Sequence, residues 1–185
     1  HGPGDRRRLS RQARARFGYV MPGETSYGQM GHDAVEFVFS ANPGEPLKPL
    51  AKVASGGELS RVMLALKTIL AESDRVPVLI FDEVDAGVGG AVAEVMGTRL
   101  RDLSRHHQVL CVTHLPQVGS QAHAHYLVEK QVRQQRTVTQ VRLLTERERE
   151  EEVARMLAGV TVTNSARAAA AEMIGSAKER RARSD

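Results

Sequence analysis

The chain has 185 residues, with 26 Lys and Arg against 22 Asp and Glu, a formal net charge of +4 and 41% hydrophobic residues, a size that fits one domain or one domain with an appendage. Aromatic content of 4% with no Trp argues against a carbohydrate-stacking or aromatic single-strand-binding surface. The single cysteine, Cys111, rules out an internal disulfide, no apolar run approaches the ~20 residues of a membrane span, and no signal-peptide pattern opens the chain, so the sequence reads as soluble and cytoplasmic.

His1–Gly4 has no apolar pattern and could be a tag remnant. Residues 1–17 then hold Arg6, Arg7, Arg8, Arg11, Arg14 and Arg16 against Asp5 alone, so basicity belongs to this arm and the remainder is nearly neutral. Leu9, Ala13 and Phe17 make a thin apolar line at helical spacing. The arm is either a solvated helix, such as the end of a coiled coil, or a DNA contact through its arginines. Met21–Asp33, with Pro22, Gly23, Gly28 and Gly31, reads as a loop. Ala34–Ser40 alternates as a half-buried strand, and Asn42–Pro46 is a turn.

From Gly57 to about Ser73 the pattern is helical, with Leu59, Val62, Met63, Leu66, Ile69 and Leu70 on one apolar face. Pro77 ends it. Val78–Phe81 is a short all-apolar run, as expected of a strand covered on both faces. A second helix, about Ala91–Ser104, has the stripe Val92, Val95, Met96, Leu100 and Leu103, and Val109–Val112 is a second apolar strand. Strand, helix and strand within about 36 residues make a βαβ crossover. Pro116 opens a short helix or turn over Leu115–Ala122. Tyr126–Val132 and Thr137–Leu144 are the arms of a hairpin. Glu146–Leu157 is an amphipathic helix burying Val153, Met156 and Leu157, and Ser165–Lys178 is an alanine-rich helix capped by Thr163 or Asn164.

A right-handed crossover runs its two strands parallel, so their C-terminal ends share one edge, where open α/β sheets bind ligands. Asp82 and Glu83 end one strand and His114 follows the other. The chemistry that fits is Mg²⁺-assisted phosphoryl transfer, with Asp82 as a hard oxygen ligand and Glu83 as the base that polarises water. The competing structural explanation is a pair of capping or ion-paired carboxylates. Ser55-Gly56-Gly57-Glu58 is a capping box by its Ser and Glu, while its two glycines leave bare amides at the positive end of a helix, an anion site. His114 is either a satisfied core histidine or a hydrogen-bond donor to a γ-phosphate. His106, His107, His123 and His125 with Cys111 match no zinc spacing.

These motifs resemble a family. Val53–Arg61, centred on Ser55-Gly56-Gly57-Glu58-Leu59-Ser60-Arg61, resembles the signature motif of ABC-type ATPases in its SMC-like form. Val78–Glu83 is similar to their Walker B strand with its catalytic glutamate, Val84–Gly90 to the D-loop segment, and Val112–Val118 to the histidine switch. All four occur in the family order, across roughly Val35 to Ser176, and the last two are closest in wording to the RecN family of bacterial SMC-like double-strand-break repair proteins. No Gly-Lys dipeptide, and so no P-loop, occurs in these residues.

The resemblance implies an α/β fold, the C-terminal lobe of an ABC/SMC-type P-loop ATPase head, a mostly parallel sheet flanked by helices. Residues 1–17 would be a coiled-coil stub and 18–185 the head lobe. It implies ATP and Mg²⁺ as ligands, with Asp82 on the metal, Glu83 activating water and His114 on the γ-phosphate. Ser55, Gly56, Gly57 and Glu58 would close over ATP held by the opposite head of a homodimer, and Asp85 and Gly87 would lie at that interface. The implied partners are the N-terminal P-loop lobe of the same protein, a second head and DNA double-strand ends, without which the chain is inactive as an ATPase. The alternative function is a nucleotide-independent DNA- or protein-docking module using the arginine arm and Lys178, Arg180, Arg181 and Arg183. A transporter-type ATPase fits less well, because Glu58-Leu59-Ser60-Arg61 follows the SMC-like form.

Overall fold

The computed structural model describes residues 38–40, 46, 48–52, 55–133 and 136–182. The arginine arm, the loop after it and most of the first expected strand lie outside these residues. The chain divides into two units, His1–Leu59 and Ser60–Asp185. In the first, β1 (Val38–Phe39) pairs antiparallel with β2 (Lys48–Pro49), and Leu50–Lys52 forms one 3-10 turn. Helix α1 (Gly56–Leu70) begins here and continues into the second unit.

The second unit contains the expected crossover. β3 (Val78–Phe81) and β4 (Gln108–Cys111) are joined by α2 (Gly90–Leu103) and run parallel, in register from Val78 opposite Gln108 to Phe81 opposite Cys111. Leu79 and Phe81 pack with Leu64 of α1, Met96, Leu100 and Leu103 of α2, and Val84 and Val118. The other face is open: Ile80 is 70% and Val112 63% exposed. Double coverage of β3, expected from its unbroken apolar run, is therefore corrected to coverage on one side. Strand alternation sends Leu79 and Phe81 one way and Ile80 the other, and the core cluster lies on a single face.

Both helices are rotated from the face their apolar spacing suggests, although Met96, Leu100 and Leu103 of the expected α2 stripe and Val62 of α1 are buried. In α2, Val92 and Val95 are exposed, and Ala93, Met96, Gly97 and Leu100 point inward. The cause is a close approach to α3 (Pro116–Gly119), where a Cβ on Gly97 would stand 2.8 Å from the Gln117 carbonyl oxygen. In α1, Val62 is buried as expected, but Leu59, Met63, Ile69 and Leu70 are exposed, and Leu64 enters the core instead. Ser60 and Arg61, on the same side as Leu64, bond to the chain that follows β3. Hydrogen bonds to that backbone, and not the widest apolar stripe, set the helix rotation.

The hairpin is β5 (Tyr126–Arg133) and β6 (Arg136–Leu143), antiparallel with Tyr126 opposite Leu143 and Val128 opposite Val141. These four residues share one face and all are exposed. Among the described residues, parallel pairing is confined to β3–β4.

Helices α4 (Glu146–Ala158) and α5 (Asn164–Ala182) form a second small core from Val153, Ala154, Ala170 and Ile174. Alanine at two of these positions brings the helices close. Met156 is only half-buried and Leu157 is exposed, which corrects the expected stripe; Arg149 and Ala154 occupy the buried side with Val153. Thr163 caps α5, its hydroxyl accepting the Ala166 amide at 3.2 Å. Among the described residues no helix is long and apolar enough to cross a membrane.

Candidate functional site

At the end of β3 the chain turns at once, and the turn is held from two directions. Val84 is fully buried. From α1, Ser60 Oγ donates to the Asp82 carbonyl at 2.8 Å, and Arg61 Nη1 donates to the carbonyls of Val84 at 3.3 Å and Ala86 at 2.9 Å. The Ala86 amide returns to the Glu83 carbonyl and the Val88 amide to the Asp85 carbonyl. Gly87 takes the left-handed conformation this double turn needs, with φ +69°.

Glu83 is also left-handed, at φ 55°, and among the described residues it alone is so without being glycine. A long side chain in that region costs on the order of 1 kcal/mol or more, and surrounding structure must impose it. The result is a pair of exposed carboxylates at the strand end. Asp82 Oδ1 accepts the Glu83 amide at 2.9 Å, and among the described residues no other group bonds to either carboxylate. The capping or ion-pair explanation of this pair therefore accounts for one oxygen of Asp82 and nothing of Glu83. The remaining Asp82 oxygen suits a hard cation that draws its other ligands from water and phosphate.

Asp85 lies on the inner side of the same turn, its side chain 4% exposed. Its Oδ2 accepts Thr113 Oγ1 at 2.5 Å and the His114 amide at 3.0 Å, and stands 3.2 Å from His114 Nδ1. Thr113 Oγ1 in turn accepts the Leu115 amide at 3.0 Å. The two strand ends predicted to share an edge are thus tied together through Asp85. His114 is 74% exposed in its side chain, so it is no core histidine, and among the described residues Nε2 has no partner. The resemblance implies an interface position for Asp85 and Gly87. The Asp85 carboxylate is turned inward and committed to the His114 segment, while Ala86 and Gly87 are the exposed part of the turn.

At the start of α1, Ser55 Oγ accepts the Glu58 amide at a long 3.4 Å, and the Leu59 amide bonds to the Ser55 carbonyl. Ser55 and Gly56 are exposed and Gly57 is buried. Among the described residues the amides of Gly56 and Gly57 meet no acceptor.

The histidines and Cys111 do not form a metal centre: among the described residues no three His, Cys, Asp or Glu side chains are grouped to hold one. Burial, followed by the carboxylates of Asp85 and Asp82, pushes the Cys111 thiol up to about 12. That is far from the thiolate a zinc site uses. His107 is buried, with Nδ1 2.6 Å from the Val76 carbonyl oxygen. Of the C-terminal cations proposed to dock DNA, Lys178 pairs with Glu146, and Arg180 lies 3.6 Å from Glu94.

Sequence reasoning missed Ser60, Arg61 and Thr113 as supports of the site. It also missed Arg149, which is 3% exposed and faces the segment after His114. One signal was available for Arg149: it lies four residues before Val153, so it extends the buried side of α4 and is no part of its charged outer face.

No family model matches this chain. Among solved structures it is similar to the Smc head domain with a coiled coil and joint derived from Pyrococcus yayanosii. The TM-score is 0.52 at 19% identity, covering 77% of this chain and 26% of that one. Among curated proteins it is 49% identical over 149 residues to the DNA repair protein RecN of Xylella fastidiosa, covering 80% of this chain and 27% of the relative. It is 53% identical over 147 residues to the DNA repair protein RecN of Deinococcus radiodurans, covering 80% and 26%. The chain therefore spans about a quarter of the length of these relatives. In fold it is an α/β lobe of the SMC head type, and in sequence it belongs to the RecN family of DNA repair proteins.

Proposed function

We propose that this chain is the lobe of a RecN-type repair ATPase head that carries the water-activating and phosphate-sensing groups, completed by a P-loop lobe and a second head. The observation that carries the reading is the left-handed backbone of Glu83, directly after the buried strand, with its carboxylate exposed beside Asp82. Strain of this kind at an exposed acidic residue has no use in stability and an evident use in aiming a base at water.

Asp82 would hold Mg²⁺, which when bound neutralises phosphate charge. Glu83 would accept the proton of the attacking water. With His114 Nδ1–H directed at Asp85, Nε2 donates a hydrogen bond to a phosphate oxygen only as imidazolium; the neutral ring in that orientation would only accept. Ser55 and the bare amides of Gly56 and Gly57 would take the γ-phosphate of nucleotide on an opposing head. ATP binding would engage the two heads and hydrolysis would release them, changing the grip on broken DNA ends. The open face at Ile80 and Val112 supports an incomplete head, since apolar sheet surface of this kind marks a docking surface, and the P-loop lobe is the occupant we assign to it.

The test is Glu83→Gln in the complete protein. Hydrolysis should fall ~10²–10⁴-fold while ATP-dependent head engagement persists. Normal turnover in that variant would remove Glu83 from its role, and robust turnover by the 185-residue chain alone would overturn the divided site.

A further inference from the structure

The segment from His114 to Ala122 contains only one helical turn, α3, and a single turn has no stability of its own. It stays in place because both ends and one flank are held. At its start, Asp85 binds the Thr113 hydroxyl and the His114 amide. On its flank, Gly97 lets α2 approach Gln117, and Arg101 Nη1 donates to Gln121 Oε1 at 3.1 Å. At its end, the carbonyls of Gly119, Ser120 and Ala122 lie at the last turn, where the regular helix bonds run out, the Gly119 carbonyl accepting the Ala122 amide at 3.3 Å. Arg149 fills that place from α4. Its Nη2 donates to Gly119 O at 3.4 Å, Ser120 O at 2.9 Å and Ala122 O at 2.6 Å.

We infer that Arg149 is a positioning residue for His114: by fixing the carbonyl end of the His114–Ala122 segment to α4, it sets where the exposed imidazole stands. Asp85 bonds the start of the segment through one carboxylate oxygen, and Val118, Gln117 and Gln121 hold its middle against the core and α2. Arg149 supplies the remaining anchor, at the carbonyl end. The chemistry calls for arginine. A planar guanidinium can present several N–H groups to a fan of carbonyls, and it carries positive charge to the negative end of a helical turn. All three bonds leave one nitrogen, Nη2, whose two N–H groups are shared among the three carbonyls; lysine would carry the charge on a flexible stem without the planar group that fixes this nitrogen's direction. Through Arg149, any displacement of α4 would be delivered to His114, the residue proposed to contact phosphate. This inference rests on the proposed role of His114 for its functional meaning, but its physical content does not require nucleotide.

The experiment is solution NMR of the 185-residue chain, comparing wild type with Arg149→Lys. Two signals are read: the His114 imidazole resonance and the exchange rates of backbone amides. The expected result is a His114 resonance displaced toward that of an unstructured histidine. Amides of His114 and Leu115 should exchange on the order of ten-fold faster, while those of Leu79–Phe81 are unchanged. Faster exchange confined to Gly119–Ala122, with the His114 resonance unmoved, would make Arg149 a local cap and overturn the inference. Should Arg149→Lys fail to fold, Arg149→Gln, which retains one amide donor, gives the same two signals. An unmoved His114 would sink this inference and leave the ATPase reading standing. A displaced His114, together with normal hydrolysis by the Glu83→Gln complete protein, would do the reverse.

Discussion

The helix starts at Ser55-Gly56-Gly57-Glu58 and Thr145-Glu146-Arg147-Glu148 share the Ser/Thr-x-x-Glu spacing of a capping box, yet only the second closes it. There the Glu148 amide bonds Thr145 Oγ1 at 3.3 Å, and Glu148 Oε2 accepts the Thr145 amide at 2.8 Å. Arg142 Nη1 takes the other Glu148 oxygen at 2.6 Å. Both reciprocal bonds of the box and both Glu148 carboxylate oxygens are thus used within the protein. At Ser55 the corresponding amide stands 3.4 Å from the hydroxyl, and the two intervening residues are glycines whose amides meet no acceptor among the described residues. One sequence pattern thus serves two ends. Charged, bulky residues stand inside the closed box, while at the other helix start the exposed Ser55 and Gly56 leave the end within reach of an external anion.

Exchanging charge at the two caps is the sharpest way to break this comparison. Ser55→Arg in the complete protein should weaken ATP-dependent head engagement by ~10-fold or more, the scale of a lost charge-assisted contact, with nucleotide binding to each head retained. Thr145→Arg should leave engagement unchanged. Equal loss in both variants, measured by ATP-dependent dimerisation, would mean that Ser55 acts only as a cap. Stability should rank the other way. Thr145→Ala should cost about 1 kcal/mol in urea unfolding, while Ser55→Ala should cost only a few tenths, because the Thr145 hydroxyl also donates to the Glu148 carboxylate at 2.8 Å and no such second bond is made by Ser55 among the described residues. A larger loss at Ser55 would reverse the assignment of the two caps.

A smaller and opposite effect is expected where the strain lies. Glu83→Gly removes the side chain from a left-handed position and should raise stability by about 0.5–1 kcal/mol, even as hydrolysis by the complete protein is lost. A stability decrease would show that the Glu83 side chain contributes packing or bonding beyond the contacts described.

The strand–helix–strand unit, the hairpin, and helices α4 and α5 were legible because each rests on a local period bounded by Gly, Pro or a cap. The placement of Asp82, Glu83 and His114 at neighbouring strand ends was legible because parallel strands must end on one edge. Helix rotation was not. The stripe Leu59, Met63, Ile69 and Leu70 is the widest apolar face of α1, but Ser60 and Arg61 reach the turn after β3 only if Leu64 faces the core. Coverage of β3 was not legible either, because four apolar residues in a row do not say which alternate face is packed, and Leu79 and Phe81 face the core while Ile80 does not. The inward turn of Asp85 was hidden for a related reason: its partners, Thr113 and His114, lie 28 and 29 residues away.

The closed cap also has a pH signature. The Thr145 amide, then the Thr145 hydroxyl and Arg142, hold the Glu148 carboxyl down to about 2, below its ordinary value of about 4.3. A depressed carboxyl stabilises the fold above its unfolded value and ceases to do so as pH falls through its folded value. The Glu148 contribution should therefore be intact above pH ~4.3 and vanish by about pH 2. His125 acts in a different window. Burial first, then the Arg149 charge against the opposing pull of Glu152, lowers its affinity for a proton, so its contribution is intact above about pH 6.5 and declines below it. Unfolding midpoints measured against pH should show both limbs. Glu148→Gln should flatten the lower limb and leave the upper one in place. If that variant follows the wild type from pH ~4.3 down to ~2, the closed cap is not the source of the acid sensitivity, and the contrast between the two helix starts loses its electrostatic half.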